Sequence, residues 1–324
     1  MSCALSHALY GKDKVRVFRV VREGGFHNVV EYNVRALMEG DIETSYTQAD
    51  NSVVMFTRLT TTYTVKNITY FLAKVSPHVL NPERFALHLG TFLVSKYKHI
   101  HKAFVDIEML KWSRIPVSEG SDVKPHPFSF VRDGEEKRIV SVEVDASNGK
   151  DKITGLVKAG IKDLLVLKSS GSAFTNFWRD EYTTLVEVDD RIFSTSVDLE
   201  YTYAPFSIAS PTDEKKLEFV VPGVVKGGVW DSDGVFERAR NVTLQVFATD
   251  DSASVQATLY KMEQQIIAEN DGVDHVKYTL PNKHYVPVDM SYIGIGNTKP
   301  TEAEVFIPLA APSGLISATA SRTK

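Results

Sequence analysis

Residues 15–38 of the chain read VRVFRVVREGGFHNVVEYNVRALM. The first part is rich in valine, Gly24-Gly25 supplies a turn, and in the last part apolar residues alternate with polar or charged ones. Alternation with a period of two is typical of a strand with one buried face, and glycines between two such runs are typical of a hairpin. We therefore expect a hairpin here that presents one apolar face to a core.

Two helices and a second hairpin are predicted after this stretch. Residues 62–73 are compatible with a helix, and Asn81-Pro82 predicts the start of the next helix, because Asn is a good cap and Pro suits the first turn. A strand over 104–112 then leads to a hairpin turn predicted at Asp133-Gly134. The return strand is marked by Val140, Val142 and Val144, which alternate with polar residues.

The second half of the chain repeats this order. Lys66-Asn67-Ile68-Thr69 resembles Arg240-Asn241-Val242-Thr243, 174 residues later, and the predicted elements keep nearly that offset. Strands are predicted at 164–168, 192–203, 275–280, 284–289 and 304–309, helices at 235–248 and from 251, and a surface loop at 207–228. Two copies of strand–strand–helix–helix–strand–strand is the simplest interpretation. We expect an α+β fold with domains 1–150 and 151–324, divided in the polar segment 147–155.

Composition excludes several classes of protein. The chain has 324 residues, 43% of them hydrophobic and 24% charged, which is typical of a globular protein rather than a disordered one. A net charge of −4 argues against a nucleic-acid partner. We expect no membrane span and no secretory signal, since no long apolar run occurs. A single cysteine, Cys3, excludes an internal disulfide.

Motifs for common cofactors do not occur. Gly294-Ile295-Gly296 lacks the third glycine of a dinucleotide site, and the chain has neither a phosphate-binding Gly-Lys-Ser/Thr nor a Gly-X-Ser-X-Gly elbow. His99 and His101 would share one face of a strand, but no carboxylate or cysteine cluster nearby completes a metal site. We therefore expect neither metal nor cofactor, so that ordinary side chains carry any chemistry.

Long, separated motifs carry a resemblance to a known family. They are Tyr10–Lys12, Asp41–Ser52 (DIETSYTQADNS), Lys124–Phe130 (KPHPFSF), Arg179–Leu185 (RDEYTTL), Asp251–Tyr260 (DSASVQATLY), Leu280–Tyr285 (LPNKHY) and Gly314–Ile316. Through them the sequence closely resembles the urate oxidase (uricase) family, of the fungal type. The resemblance implies tandem tunnelling-fold domains, each a four-stranded antiparallel sheet with two helices on one side. It also implies that two subunits close a barrel, that two barrels form a homotetramer, and that active sites lie at subunit interfaces.

The resemblance further implies a reaction and a substrate site. The family converts urate, dioxygen and water to 5-hydroxyisourate and hydrogen peroxide without metal or organic cofactor. The implied substrate-binding residues are the planar fork of Arg191, the amide of Gln256 with the neighbouring backbone of Val255, the stacking ring of Phe174, and Asn282, which holds dioxygen and later water. Leu185 and Ile316 match apolar pocket residues.

A proton relay is the last element that the resemblance implies. Lys12 and His284 match its lysine and histidine, and counting back from Lys66-Asn67 assigns its threonine to Thr62. The family's next residue, an aspartate that also serves the substrate, is replaced by Tyr63, whereas counting forward from Asn51-Ser52 would select Thr57 instead.

Two other functions stay open at this point. One is another tunnelling-fold enzyme acting on a purine or pterin, and the other is an inactive homologue, which only the altered Thr62-Tyr63 stretch favours. A peroxisomal location is expected from the resemblance. The sequence ends in Ser321-Arg322-Thr323-Lys324 rather than a Ser-Lys-Leu-type signal, which leaves the cytoplasm as the alternative.

Overall fold

The structure is a computed structural model that describes residues 3–47, 62–120, 122–220, 225–299, 303–311 and 314–323, without the side chains of residues 62, 63 and 119. The strands are β1 (Tyr10–Glu23), β2 (Phe26–Gly40), β3 (Ile100–Glu119), β4 (Asp122–Asp145), β5 (Ile153–Lys168), β6 (Phe193–Tyr203), β7 (Phe206–Ile208), β8 (Val273–Lys283), β9 (Tyr285–Pro287), β10 (Phe306–Pro308) and β11 (Gly314–Ser321). The helices are α1 (Thr44–Thr47), α2 (Thr62–Val75), α3 (Pro82–Lys96), α4 (Ser232–Thr249) and α5 (Val255–Glu269).

One antiparallel sheet runs through the whole molecule. Its strand order is β1-β2-β3-β4-β5-β6-β8-β11, with the short β7 paired to β5, while β9 and β10 form a small separate sheet. The first four strands belong with α2 and α3, and the last four belong with α4 and α5. The expected α+β architecture, with the same order of elements twice, is therefore confirmed.

Alternation along the strands separates a core face from a polar face. Val140, Val142 and Val144 are at most 3% exposed, and the helices pack over this side of the sheet. On the other side, charged residues pair across strands, as in the 2.7 Å contact between Arg35 and Asp106. The period-two pattern that predicted these strands thus reports which side of each strand meets the helices.

The repeated sequence marks equivalent places in the two halves. Thr69 in α2 and Thr243 in α4 are both fully buried. Each hydroxyl donates to the carbonyl one turn earlier, at 2.9 Å to Val65 and at 2.7 Å to Ala239. A polar side chain can occupy such a core position because its own helix satisfies it.

Two predicted features were wrong. The turn of the second hairpin lies between β3 and β4 near Gly120, and Asp133-Gly134 instead lies within β4, where the register with β3 shifts. Gly134 does adopt a positive φ of 71°, as the Asp-Gly pair indicates, but this conformation belongs to a bulge rather than to a hairpin turn. The fourth strand of the second half is β11, which had not been predicted, whereas 284–289 and 304–309 contribute β9 and β10 to the separate small sheet.

The loop predicted at 207–228 is partly packed against the first half. Its start forms β7 against β5, which belongs to the same half as the loop. Further along, the Phe219 ring stacks on His88 of α3, with ring centroids 5.4 Å apart. Burial lowers the pKa of His88 to about 4, so this imidazole is neutral at physiological pH.

The two halves are also joined through the starts of α3 and α4. The Asn81 amide, which caps α3, donates to the Ser232 hydroxyl at 2.8 Å. Arg138 of β4 binds Glu83 of α3 through two hydrogen bonds of 3.1 and 2.6 Å and binds Asp233 of α4 at 2.7 Å. One guanidinium thereby connects carboxylates in the first turns of two helices, where negative charge is favourable.

Candidate active site

A cavity of about 530 Å³ lies where β6 begins and β8 ends, beside the β9–β10 sheet. Arg191, Asn282 and His284, three of the predicted site residues, line it. Thr195 of β6 pairs with Asn282 of β8, so the residues just before β6 lie beside the end of β8. The volume falls within the range of about 300–1,000 Å³ that small-molecule sites usually have.

Arg191 is half-buried at the edge of this cavity. Its guanidinium lies over the Phe174 ring, 5.0 Å from the ring centre, which is within the range of a cation–π contact. Burial lowers the pKa of Arg191, but a guanidinium stays charged at neutral pH because its ordinary pKa exceeds about 12. A partly desolvated, oriented guanidinium is well suited to an anion that offers two acceptors in one plane.

A short strap, residues 170–174, connects Arg191 with the start of α5. On one side, the Arg191 N–H donates to the Ser172 carbonyl at 2.9 Å, and Phe174 exchanges backbone hydrogen bonds of 2.8 and 3.1 Å with Val188. On the other side, the Ala173 N–H donates to the Ser252 carbonyl at 2.9 Å, and the Ser252 N–H donates to the Gly171 carbonyl at 3.1 Å.

Val255 and Gln256 are the first two residues of α5. The Ser254 hydroxyl caps the helix by accepting from the Ala257 N–H at 3.1 Å. Val255 is 4% exposed, whereas the Gln256 side chain is exposed. Backbone N–H groups in a first helical turn have no partner within the helix, so this end favours a negative or acceptor-rich ligand.

Asn282 and His284 come at the end of β8 and are half-buried. Asn282 pairs with Gly314 of β11. A Cβ at Gly314 would lie 3.3 Å from the Asn282 Cβ and 3.8 Å from the His284 Nε2. Because glycine has no side chain, Gly314 leaves room beside both groups. We had not predicted this role, and the signal was the glycine that begins the motif Gly314–Ile316.

Lys12 lies in the other half of the molecule. It pairs with Ala36 at the β1 edge of the sheet, and a Cβ on the preceding Gly11 would lie 2.0 Å from the Ala36 carbonyl oxygen, so the strands approach closely here. Six strand-to-strand steps separate β1 from β8, or about 29 Å along the sheet at ~4.8 Å per step. Within one chain, Lys12 and His284 are therefore apart.

The relay threonine falls at the border of the described residues. Thr62 and Tyr63 are the first residues of α2, which packs on β1, so their backbone lies in the same half as Lys12. Their side chains, and the whole of Thr57, are outside the described residues. The predicted site thus forms two groups: Lys12 with the start of α2, and Phe174, Arg191, Val255, Gln256, Asn282 and His284 around the cavity and the strap.

Comparison with known proteins covers nearly the entire chain. The uricase family model matches residues 8–143 and 157–317. The chain is 46% identical to the uricase of Emericella nidulans, over 97% of this chain and 96% of that protein. It is 45% identical to the uricase of Aspergillus flavus, over 99% of this chain and 97% of that protein.

The chain belongs to the uricase family.

Solved uricase structures have the same fold. The crystal structure of the uricase from Arthrobacter globiformis superposes with a TM-score of 0.80 at 30% sequence identity, covering 99% of this chain and 96% of that one. The uricase from Bacillus fastidious, at 22% identity, has a TM-score of 0.75 and covers 97% of this chain and 93% of that chain. The predicted membership of the uricase family, including its fungal relatives, is confirmed, and so is the fold.

Leu185 and Ile316 are not among the residues that line the 530 Å³ cavity, and neither are Phe174, Val255 and Gln256. The place of Leu185 and Ile316 in the uricase site stays a prediction. Leu185 is 50% exposed, and Ile316 packs against the core.

A metal site was considered from the sequence for the pair His99 and His101. In the structure, His101 contacts Asp41 at 3.1 Å. The described part of the chain contains no cluster of three metal-binding side chains and no helix that is long and apolar enough to cross a bilayer.

Proposed function

We propose that this chain oxidises urate with dioxygen and water to 5-hydroxyisourate and hydrogen peroxide, without metal or organic cofactor. Membership of the uricase family makes it an oxidoreductase with urate as substrate. The observation that supports a reaction carried out by side chains alone is the cavity that Arg191, Asn282 and His284 line together. In this cavity a guanidinium, an amide and an imidazole face one small volume, which suits a flat anion and a proton transfer.

Arg191 holds the urate anion in this proposal. Its fork donates two parallel hydrogen bonds to a carbonyl oxygen and a ring nitrogen, and its charge offsets that of the anion. Phe174 stacks on the purine ring, a geometry worth about 1 kcal/mol beyond the buried area. The Gln256 amide and the Val255 N–H at the start of α5 bind the opposite edge of the ring. Asn282 holds dioxygen, and later water, above the purine plane.

Lys12, Thr62 and His284 form the proton relay of the proposal. Since Lys12 and His284 lie far apart along the sheet of one chain, the relay requires a second subunit that brings its Lys12 to this cavity. The edge strands β1 and β11 make this possible, because pairing between chains would close two sheets into a barrel and remove exposed strand edges. We therefore include a homotetramer with interface active sites, built from domains 1–150 and 151–324. Tyr63 would act only through its backbone N–H.

A peroxisomal location is part of the same proposal, because hydrogen peroxide is best released beside enzymes that destroy it. Fractionation of cells that produce the full chain tests it, and a cytoplasmic distribution would contradict it.

The direct test follows the ultraviolet absorbance of urate together with peroxide release, before and after dialysis against a chelator. We expect turnover that the chelator leaves unchanged. Arg191→Lys keeps the charge and loses the fork; because charge-assisted bonds contribute about 1.5–3 kcal/mol each, kcat/KM should fall at least about tenfold. The matched control is Arg22→Lys at an exposed position of β1.

Two results of this test would contradict the proposal. A parent protein that is silent toward urate would favour an inactive homologue. An active parent whose Arg191→Lys variant keeps normal kcat/KM would show that Arg191 does not hold the substrate.

A further inference from the structure

The carboxylate of Asp190 is directed at backbone rather than at the neighbouring guanidinium. Its Oδ1 accepts from the Gly171 N–H at 2.7 Å and from the Ser172 N–H at 3.3 Å, and its Oδ2 accepts from the Ser170 hydroxyl at 2.6 Å. All three donors belong to the beginning of the strap. The Asp190 carboxylate is thus engaged by the strap, while the Arg191 guanidinium lies 5.0 Å from the centre of the Phe174 ring.

The strap lies between two parts of the proposed urate site. On one side it accepts a hydrogen bond from the backbone N–H of Arg191. On the other side it forms two backbone hydrogen bonds with Ser252, just before α5. Ser252 is in turn fixed by a residue of α5. The buried Thr258 hydroxyl forms hydrogen bonds with the Ser252 hydroxyl at 2.8 Å and with the Asp250 carboxylate at 2.6 Å. The position of the strap therefore sets the distance between Arg191 and the first residues of α5.

We infer that Asp190 is a positioning residue for urate binding: it clamps residues 170–172 and thereby fixes the spacing of the Arg191 fork relative to the Val255-Gln256 end of α5. This inference rests on the proposed function, because it assumes that both of these groups bind the same urate molecule. Two clamps on one rigid planar ligand must keep a fixed separation, since a shift of about 1 Å is enough to impair a site of this kind.

The clamp persists at physiological pH. Hydrogen bonds from the Ser170 hydroxyl and from the backbone of Gly171 and Ser172 lower the pKa of Asp190, so the carboxylate is a charged acceptor throughout the neutral range. Bonds to a charged acceptor are stronger than neutral ones. Gly171 has a positive φ of 78°, and this conformation directs its N–H toward the carboxylate without the strain that another residue would suffer.

The experiment compares Asp190→Ala, Asp190→Asn and the control Asp189→Ala, whose side chain is exposed and outside the clamp. For Asp190→Ala we expect KM for urate to rise about tenfold or more, with kcat changed less, as for weakened binding in both ground and transition states. Asp190→Asn should recover most of the affinity, because its amide oxygen accepts from Gly171 and its NH₂ donates to the Ser170 hydroxyl. Amide hydrogen exchange over residues 170–174 should accelerate in Asp190→Ala alone.

The possible results separate this inference from the function it rests on. If the parent turns over urate and Asp190→Ala keeps the parental KM, Asp190 does not position the site. If Asp190→Asn is as impaired as Asp190→Ala while its hydrogen exchange over residues 170–174 stays parental, the charge itself acts on the substrate, and positioning is again wrong. A parent without activity would overturn the proposed function and the inference together. Unchanged hydrogen exchange in Asp190→Ala would overturn the clamp, whatever the activity.

Discussion

Replacing Arg138 by Leu should destabilise the protein strongly, because it leaves a buried carboxylate without its partner. Glu83 is fully buried, and both of its oxygens bind Arg138, whose side chain is 10% exposed. The same guanidinium reaches Asp233 and lies 4.5 Å from the centre of the Phe236 ring. Leucine preserves much of the volume and none of these bonds.

The magnitude follows from the burial. Breaking a buried ion pair by removing one partner costs about 3–5 kcal/mol. With an unfolding entropy of about 2.1 cal/mol/K per residue, 324 residues correspond to roughly 0.7 kcal/mol/K. The expected fall in Tm is therefore about 4–7 °C at neutral pH.

The loss should also depend on pH. Burial raises the pKa of Glu83, and the Arg138 guanidinium opposes that rise. In Arg138→Leu the opposition is gone, so the folded-state pKa of Glu83 lies well above its unfolded value of about 4.3. Folding then favours the protonated form: stability is fully present below pH ~4 and falls by up to about 1.4 kcal/mol per pH unit as the pH rises. The Tm deficit should thus be larger at pH 8 than at pH 5.

Thermal unfolding followed by circular dichroism at pH 5 and pH 8, at one protein concentration, measures this. Glu83→Gln combined with Arg138→Leu should recover much of the loss at pH 8, because no charge remains to be buried. The control is Arg132→Leu, also on β4, whose more exposed contact with Glu31 should be worth at most about 1 kcal/mol. A Tm for Arg138→Leu within about 1 °C of the parent at pH 8 would refute the reasoning, as would a double variant that is no better than the single one.

Two further predictions concern the relay and a second buried acid. Lys12→Met and His284→Ala should each slow turnover, and the double variant should be only slightly slower than the worse single one, since members of one relay act as a unit; fully multiplicative losses in kcat would place them in separate steps. Burial raises the pKa of Glu263, whose side chain lies in the core, to about 7. Its contribution to stability is therefore fully present near pH 4 and is lost as the pH rises to about 7. Relative to the parent, Glu263→Gln should become more stable from pH 5 to pH 8 in denaturant unfolding, and a constant difference would contradict this.

Local chemistry explains why much of the fold was predictable. The hairpin around Gly24-Gly25 and the helix after Asn81 depend on a turn and a cap formed by neighbouring residues, and the structure has both. Asp133-Gly134 was misassigned for the same reason. A glycine with positive φ serves a hairpin turn and a bulge equally, and only the pairing of β4 with β3 distinguishes them. β11 was missed because its partner, β8, is distant in sequence and its side chains are mostly exposed.

The sequence by itself determined the periodicity of the strands, the duplication and the uricase family, because each is written in contiguous residues or in motifs that need no folding to be recognised. Only the tertiary structure decided which of those residues meet. Strand order brings Arg191 beside Asn282 and His284, and it places Lys12 at the opposite side of the sheet. The Asp190 clamp likewise depends on backbone N–H groups whose direction no side-chain pattern encodes. Spacing along the chain records local conformation, whereas the site depends on distances that exist only after the sheet has formed.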